Sequence, residues 1–222
     1  GRSDALYKEW IGALEGAYAA AAPDFRGMAL IEEAGHWGQF ERPQRFLQAL
    51  DDALRAKISE AIRRARHFEP LDLAWFEEPL PAEDLNGHVM LRESTTLPIA
   101  VGESIYSISH FREYLQRGAC TIVQTDVARI GGITPWLKCA HLAESFNVPI
   151  CPHFLMELHV GLCAAVPNAV FIEYFLASSG VKMFDSIVAN PLKPSGGFIT
   201  PREEPGFGIE LIPEEVARYR IA

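Results

Sequence analysis

From residue 71 onward, short apolar runs alternate with longer stretches of mixed polarity. The runs lie at 71–76, 97–102, 120–125, 148–152 and 169–174, and the mixed stretches lie at 87–96, 107–118, 131–147 and 156–167. The runs are largely apolar rather than alternating, which is typical of strands covered on both faces. The mixed stretches predict helices. The pattern therefore predicts five βα units whose strands are parallel, adjacent in chain order and joined by right-handed crossovers.

The pattern differs in the N-terminal quarter of the chain. Residues 7–21 predict a helix, and residues 27–54 predict a strand, a turn and a second helix. A charged amphipathic helix over 52–70 follows without a linker. Segment 28–32 is expected to pair with the open edge of the sheet, since an unpaired apolar edge accepts an available strand. Residues 195–211 are rich in Gly and Pro and predict loops with short extended pieces.

Every one of the five runs ends in ionisable side chains. They are Glu77 and Glu78, then Glu103, Asp126, His153 and Glu173. In a barrel of parallel strands these ends converge on the face where the chemistry takes place. Strand ends also tolerate charges because they lie near solvent, so an exposed strand end and a cation site both remain open for the adjacent Glu77 and Glu78. All five runs end in ionisable side chains, and these belong to three residue types, which favours a functional site.

The residue types suggest distinct roles. Oxygen ligands from neighbouring strands suit a hard cation such as Mg²⁺. Glu77 and Glu103 follow consecutive runs at equivalent positions, so their carboxylates are expected to share one ion, whereas Glu78 would lie on the opposite side of the pleat, where it supports the site or pairs with a cation. His153 could move protons, and Asp126 could orient it and raise its basicity.

Composition and charge exclude several classes of protein. The chain has 222 residues, 49% of them hydrophobic, which allows a packed core in one large or two small domains. The net charge of −9 argues against a nucleic-acid partner. No run reaches membrane-spanning length, and the first residues show no signal-peptide pattern. The four cysteines are scattered, which is typical of reduced core thiols and predicts a cytoplasmic protein.

Several motifs in order resemble the mandelate racemase branch of the enolase superfamily over roughly residues 58–222. They read WFEEPL, VGES, QTDVARIGGITPW, PHFLMELH, FIEYF and PGFGIEL. The resemblance implies the C-terminal part of a (β/α) barrel that binds Mg²⁺ and abstracts a proton α to a carboxylate. It implies a small sugar acid or 2-hydroxy acid as the substrate, and a homo-oligomer is compatible with it. The motif wording favours an acid-sugar dehydratase over a racemase, and Arg129 stands where other branches carry a lysine base.

The same resemblance implies roles for individual residues. Glu77 and Glu103 correspond to metal ligands. Asp126 and His153 correspond to a base dyad. Glu173 corresponds to the acid that hydrogen-bonds the substrate carboxylate and stabilises the enolate.

The chain also departs from this family's pattern. A third metal ligand is expected before Glu77, where Asp51 and Asp52 follow a helical pattern with no strand. We expect this ligand to be absent, together with the first barrel strands, their lysine base and the capping domain, because the barrel alone takes about 250 residues. The resulting expectation is an impaired enzyme with only trace dehydratase activity.

Residues 1–56 resemble the C-terminal end of an α/β-hydrolase of the epoxide hydrolase or dehalogenase type. Asp4 would correspond to the triad acid and His36 to the triad base, but the nucleophile elbow is not present. The predicted fold class is therefore α/β, a partial (β/α) TIM-type barrel of the last five βα units over 57–222, preceded by a short hydrolase-like strand–helix fragment. A non-catalytic fused remnant and an α/β-hydrolase are the alternative functions.

Overall fold

The computed structural model of the protein describes residues 57–175, 181 and 186–220. The chain divides into two compact units, Gly1–Glu60 and Ala61–Ala222, and nearly all described residues belong to the second. The predictions for the N-terminal part lie outside the described residues. They concern the helix at 7–21, the pairing of segment 28–32, the triad-like Asp4 and His36, and the absent ligand near Asp51 and Asp52. The domain boundary between residues 56 and 57 stays a prediction.

The core of the second unit is a parallel sheet. Strand β1 is Phe76–Glu77, β2 is Ile99–Val101 and β3 is Ile122–Val123, in that spatial order. Two further runs extend the sheet through single parallel bridges, Val123 with Ile150 and Ile150 with Ala169. The five apolar runs are thus parallel and adjacent in chain order, which confirms that part of the prediction.

The strands are shorter than predicted, and the first run differs most clearly at its start. Strand β1 begins only at Phe76, because residues Glu69–Leu71 form a 3₁₀ turn with Pro70 near its start. Asp72 then adopts a left-handed conformation, with φ of 50°. Proline removes a ladder donor and a left-handed residue interrupts extended backbone, so no strand can begin there. Leu71 is 62% exposed rather than buried.

Helices separate the strands, within a few residues of the predicted bounds. Helix α1 covers 57–68, α2 is Leu85–Ser94, α3 is Ile108–Gln116, α4 is Ile133–Ser145 and α5 is Met156–Ala164. Two of them start with side-chain caps: Asp84 accepts a hydrogen bond from the Gly87 amide, and Ser107 accepts one from the His110 amide.

The C-terminal segment contains one element that was not predicted. Short antiparallel bridges join Val188 to Leu211 and Ser195 to Phe198, as expected of loops with extended pieces. Helix α6, Pro213–Arg218, was missed, although it starts with proline and two glutamates, which favour a helix N-terminus.

All residues of β2 and β3 are buried, so both faces of the sheet are covered at these strands. One face packs Ala100, Ile122 and Cys151 against Trp75. The Trp75 ring centroid lies 6.1 Å from that of Phe171, which belongs to the fifth run. The first and fifth runs are not neighbours in the sheet, so this contact requires the sheet to curve as it does in a barrel.

The described residues show no helix long and apolar enough to cross a membrane. All four cysteines are free thiols, and three of them are buried.

Candidate active site

Asp126 and His153 are hydrogen-bonded where β3 and the fourth run end. Asp126 Oδ1 accepts the amides of Ala128 at 2.7 Å and Arg129 at 3.2 Å, which fixes the orientation of the carboxylate. Its other oxygen, Oδ2, lies 2.9 Å from His153 Nδ1. A carboxylate only accepts hydrogen bonds, so the proton between them belongs to His153 Nδ1 and the remaining ring nitrogen is Nε2.

His153 contacts a second carboxylate through that remaining nitrogen. Its Nε2 lies 3.3 Å from Glu103 Oε2. Burial lowers the pKa of His153, but the hydrogen bond that His153 donates to Asp126 and the charges of Glu103 and Glu173 outweigh burial and raise the pKa above its ordinary value. Burial likewise raises the pKa of Asp126, but the hydrogen bonds from His153 and the two amides bring the pKa below its usual range.

Arg129 is a site residue whose contacts sequence reasoning missed. Its Nη1 donates to the Glu103 carbonyl at 2.7 Å and lies 3.4 Å from Glu103 Oε1. Its Nε lies 3.8 Å from Asp126 Oδ2. The motif resemblance did mark this residue, because Arg129 stands where other branches of the family carry a lysine base. The guanidinium places one positive charge between two of the predicted site carboxylates.

Glu173, at the end of the fifth run, faces the same group of side chains. Its Oε2 accepts the Phe154 amide at 2.6 Å, next to His153 in the chain. Burial raises the pKa of Glu173, and the negative charges of Glu77 and Glu103 add to the rise, against the opposing effects of the Phe154 amide and His153. The carboxylates from three different runs therefore act on one another electrostatically.

The two adjacent glutamates after the first run have different partners. Glu77 is exposed, and its Oε2 accepts from Trp75 Nε1 at 2.9 Å and from Gln124 Nε2 at 2.8 Å. Glu78 has a φ of 37° and its carboxylate accepts from the Ser104 hydroxyl at 3.0 Å and the Ser104 amide at 3.3 Å. Glu78 thus holds the loop that carries Glu103. This contact agrees with the supporting role that is one of the two expected for Glu78 from the sequence.

Gly102 lets this loop approach the next strand. Its φ is 155°, and a Cβ atom at this position would lie 2.5 Å from the Gln124 backbone carbon. A larger residue would push Glu103 away from the end of β3. Glycine is therefore required by the close approach of two strand ends.

The described residues contain no group of three or more His, Cys, Asp or Glu side chains arranged to hold a metal ion. Glu103 contacts His153 and Arg129, while Glu77 contacts Trp75 and Gln124. The donor set itself fits a hard cation, because carboxylate oxygens are the ligands that Mg²⁺ prefers. The assignment of Glu77 and Glu103 as ligands stays a prediction.

A curved parallel sheet carries a His–Asp pair and several carboxylates at its carboxyl edge, an arrangement that is typical of barrels with acid–base chemistry. The family profile described as enolase C-terminal domain-like matches residues 47–216. The chain belongs to this family, as the motif resemblance indicated. The match says nothing in favour of the hydrolase-like interpretation of residues 1–56.

Two of the similar proteins are enzymes of sugar acids. The chain is 41% identical over 115 residues to the L-talarate/galactarate dehydratase of Salmonella typhimurium, covering 52% of this chain and 29% of that protein. It is 30% identical over 172 residues to the 3,6-anhydro-alpha-L-galactonate cycloisomerase of Streptomyces coelicolor, covering 78% and 46%. The chain thus spans less than half the length of these relatives.

A solved structure shows the same fold. The L-talarate dehydratase of Polaromonas sp. JS666, complexed with Mg and L-glucarate, superposes with a TM-score of 0.66 at 36% identity. The superposition covers 72% of this chain and 43% of that chain.

Proposed function

We propose that this chain carries part of the active site of a Mg²⁺-dependent enzyme that abstracts the proton α to a carboxylate. The observation that carries the proposal is the Asp126–His153 hydrogen bond of 2.9 Å at the carboxyl edge of the sheet. A histidine held through Nδ1 by a carboxylate presents Nε2 as the atom that can accept a proton. Dehydration of a sugar acid is the favoured overall reaction, with racemisation as the alternative.

The choice of substrate class is supported by the relatives. Salmonella and Polaromonas proteins with 41% and 36% identity are dehydratases of sugar diacids, and the latter was solved with L-glucarate. Dehydration and racemisation both start with removal of the α proton, so the first step does not depend on which overall reaction follows. A sugar acid is therefore the proposed substrate.

Three residues of this chain have separate roles in the removal of the α proton. His153 Nε2 takes the proton, and the Asp126 carboxylate stabilises the imidazolium that results. Burial raises the pKa of Glu173, which favours its protonated form and suits it to donate a hydrogen bond to a substrate carboxylate oxygen. Such a donor stabilises the negative charge that develops there.

Glu77 and Glu103 would hold the magnesium ion. When bound, the ion supplies positive charge that stabilises the carboxylate of the deprotonated substrate. The Glu103 carboxylate lies within ion-pair distance of both Arg129 and His153, so cation binding would compete with those contacts. The impaired rate expected from the sequence stays a prediction.

The test is exchange of the α proton for deuterium, which detects the first step even when turnover is slow. The purified chain with Mg²⁺ is incubated in D₂O with a panel of aldonic and aldaric acids, and proton NMR follows each α signal. We expect slow exchange with at least one acid, lost in His153→Asn and in Glu103→Gln. The exposed His141→Asn is the matched control and should exchange like the wild type.

Exchange that persists in His153→Asn would overturn the assignment of the base. A wild-type chain that gives no exchange above the solvent background with any acid would favour the non-catalytic alternative.

A further inference from the structure

The two residues that flank Asp126 are each held by a fully buried aromatic side chain. Trp136, on α4, donates its Nε1 proton to the carbonyl of Thr125 at 3.2 Å. His159, on α5, accepts the amide proton of Val127 on Nε2 at 3.1 Å. Both side chains have no exposed surface, and their ring centroids lie 5.9 Å apart. The peptide groups on both sides of Asp126 are therefore anchored to helices behind the sheet edge.

The other ring nitrogen of His159 reaches the loop that carries His153. Its Nδ1 lies 2.8 Å from the carbonyl oxygen of Phe154. Since Nε2 accepts from the Val127 amide, the proton must be on Nδ1, which donates to Phe154. A single neutral imidazole thus joins the residue after the dyad acid to the residue after the dyad base.

The Phe154 loop is one that needs such support. Phe154 and Leu155 have φ values of 58° and 36°, a region that residues other than glycine rarely adopt. Such a conformation persists when surrounding contacts fix it. The Phe154 amide donates to Glu173, its carbonyl accepts from His159, and the Leu155 carbonyl accepts the backbone amide of His159 at 3.0 Å.

We propose that His159 is a positioning residue that sets the geometry of the Asp126–His153 pair, with Trp136 packed beside it. The kinetic part of this inference rests on the proposed function, whereas the geometric part does not. Within the described residues, no backbone hydrogen bond joins the loop after β3 to the loop after the fourth run, and His159, which bonds to both, fixes the distance between them. Without it, Asp126 and His153 would each follow its own loop.

Burial supports this role. It lowers the pKa of His159 to about 4, against smaller opposing effects of the Phe154 carbonyl and Asp126. The imidazole therefore stays neutral near pH 7, and a neutral ring is required to accept at one nitrogen and donate at the other. The simpler interpretation is a core histidine that contributes only to stability, and the experiment must separate the two.

Three substitutions of His159 test its two side-chain hydrogen bonds separately. His159→Asn keeps an amide donor near the Nδ1 position, His159→Gln keeps an acceptor near the Nε2 position, and His159→Leu keeps neither. His88→Leu is the matched control, because His88 is also fully buried but bonds to Tyr114 between helices α2 and α3. The unfolding free energy of each variant is measured by urea denaturation in the full chain.

Two readouts separate positioning from stability. The first is the downfield proton NMR signal of His153 Nδ1–H, assigned by its loss in His153→Asn. The second is α-proton exchange, resolved into kcat and KM. We expect His159→Leu to shift or broaden the signal and to lower kcat by about 10- to 100-fold, the range typical of partners that orient a functional ligand, with KM nearly unchanged. In His159→Asn and His159→Gln, the His153 signal and kcat should both lie closer to the wild-type values than in His159→Leu.

The control decides the interpretation. His88→Leu should lose a similar amount of stability and leave the His153 signal and kcat at wild-type values. If His159→Leu behaves in the same way as His88→Leu, the inference is wrong. If His159→Leu does not fold, the Asn and Gln variants give the same decision. If the wild-type chain shows no exchange, the proposed function fails, and the His153 signal alone still decides whether His159 positions the pair.

Discussion

The part of the chain that the structure describes contains two fully buried histidines in different regions. His159 belongs to a site cluster with Trp136, Thr125, Val127 and Phe154. His88 belongs to a helix cluster with Asp84, Tyr114 and Ala82. Burial lowers the pKa of both imidazoles, so both are neutral groups that the fold has taken out of water.

The two histidines differ in how their ring nitrogens are bonded. Both nitrogens of His159 have backbone partners. His88 bonds through Nδ1 alone, to the Tyr114 hydroxyl and the Asp84 carbonyl, each at 3.0 Å, and its Nε2 has no hydrogen-bond partner. The Tyr114 hydroxyl in turn donates to the Ala82 carbonyl at 2.9 Å.

This difference separates contacts that support the proposed site from contacts that support only the fold. The site cluster bonds to the backbone on each side of Asp126 and directly after His153. The helix cluster joins α2 and α3 to the loop before α2 and touches no predicted site residue. Loss of a group in the site cluster should therefore change geometry at the site, whereas loss in the helix cluster should change stability alone.

The largest effect is expected at the acid that the site cluster anchors. In Asp126→Asn, the amide oxygen can still accept from Ala128 and Arg129, so the turn is kept. The amide nitrogen would donate to His153 Nδ1, which forces the ring proton onto Nε2 and blocks the base. We expect the rate of α-proton exchange to fall by about 10²- to 10⁴-fold.

Exchange kinetics in D₂O with the responsive sugar acid measure this loss, and circular dichroism checks the fold. A rate within about threefold of the wild type, a change of well under 1 kcal/mol in barrier, would contradict the role of Asp126.

Acidification should weaken the site cluster next. The pKa of His159 is about 4 in the folded chain and about 6.5 in an unfolded one, so the unfolded state binds more protons between these values. Stability is therefore kept above pH 6.5 and lost as the pH falls towards 4. The lowered pKa of His159 accounts for about 3 kcal/mol of this loss, and Asp126 and His153 are the ionisable groups whose charges act on it.

Urea denaturation from pH 7.5 to pH 4 measures the slope. His159→Asn should flatten it, since asparagine does not titrate, and His88→Asn should flatten it in the same direction because the His88 pKa is also lowered. An unchanged slope in both variants would show that other groups dominate the acid response.

Much of this fold could be predicted because its determinants are local. Apolar runs covered on both faces and helical stretches between them fixed the order of five parallel runs. The start of β1 could not be read the same way, because apolar residues in 71–75 suggested a strand while Pro70 and the left-handed Asp72 prevent it. Apolar content reports burial, whereas backbone conformation at single residues decides where a strand begins.

The candidate site could likewise be predicted from the sequence only in part. The proximity of Asp126 and His153 followed from their positions at the ends of neighbouring strands. His159 could not be identified, because it lies inside the apolar helix α5 and its partners are backbone groups of two loops, one of them 32 residues away. Arg129 was noted for what it replaces, but its ion pair with Glu103 depends on a contact between two turns.

A smaller effect is expected in the helix cluster. Tyr114→Phe removes the hydroxyl that donates to the buried Ala82 carbonyl and bonds to His88 Nδ1. Leaving such groups without partners should cost about 1–3 kcal/mol of unfolding free energy. Urea denaturation measures the cost, and the rate of α-proton exchange should match the wild type. A slower rate in a fully folded variant would remove the distinction between the two clusters.

The smallest effect is expected for a histidine outside both clusters. His141 Nδ1 lies 3.2 Å from Glu144 Oε2 on α4, and the two side chains are 61% and 44% exposed. Water and salt screen an exposed pair, and holding two side chains together costs entropy, so His141→Asn should change the unfolding free energy by less than about 0.5 kcal/mol. Urea denaturation of His141→Asn, Glu144→Gln and the double variant at two salt concentrations measures the loss of unfolding free energy and the coupling energy between the two side chains. If His141→Asn lost as much unfolding free energy as His88→Asn, burial could not be the reason for the contribution of the two buried histidines to stability. His141 also has a hydrogen-bond partner, but it is exposed to solvent.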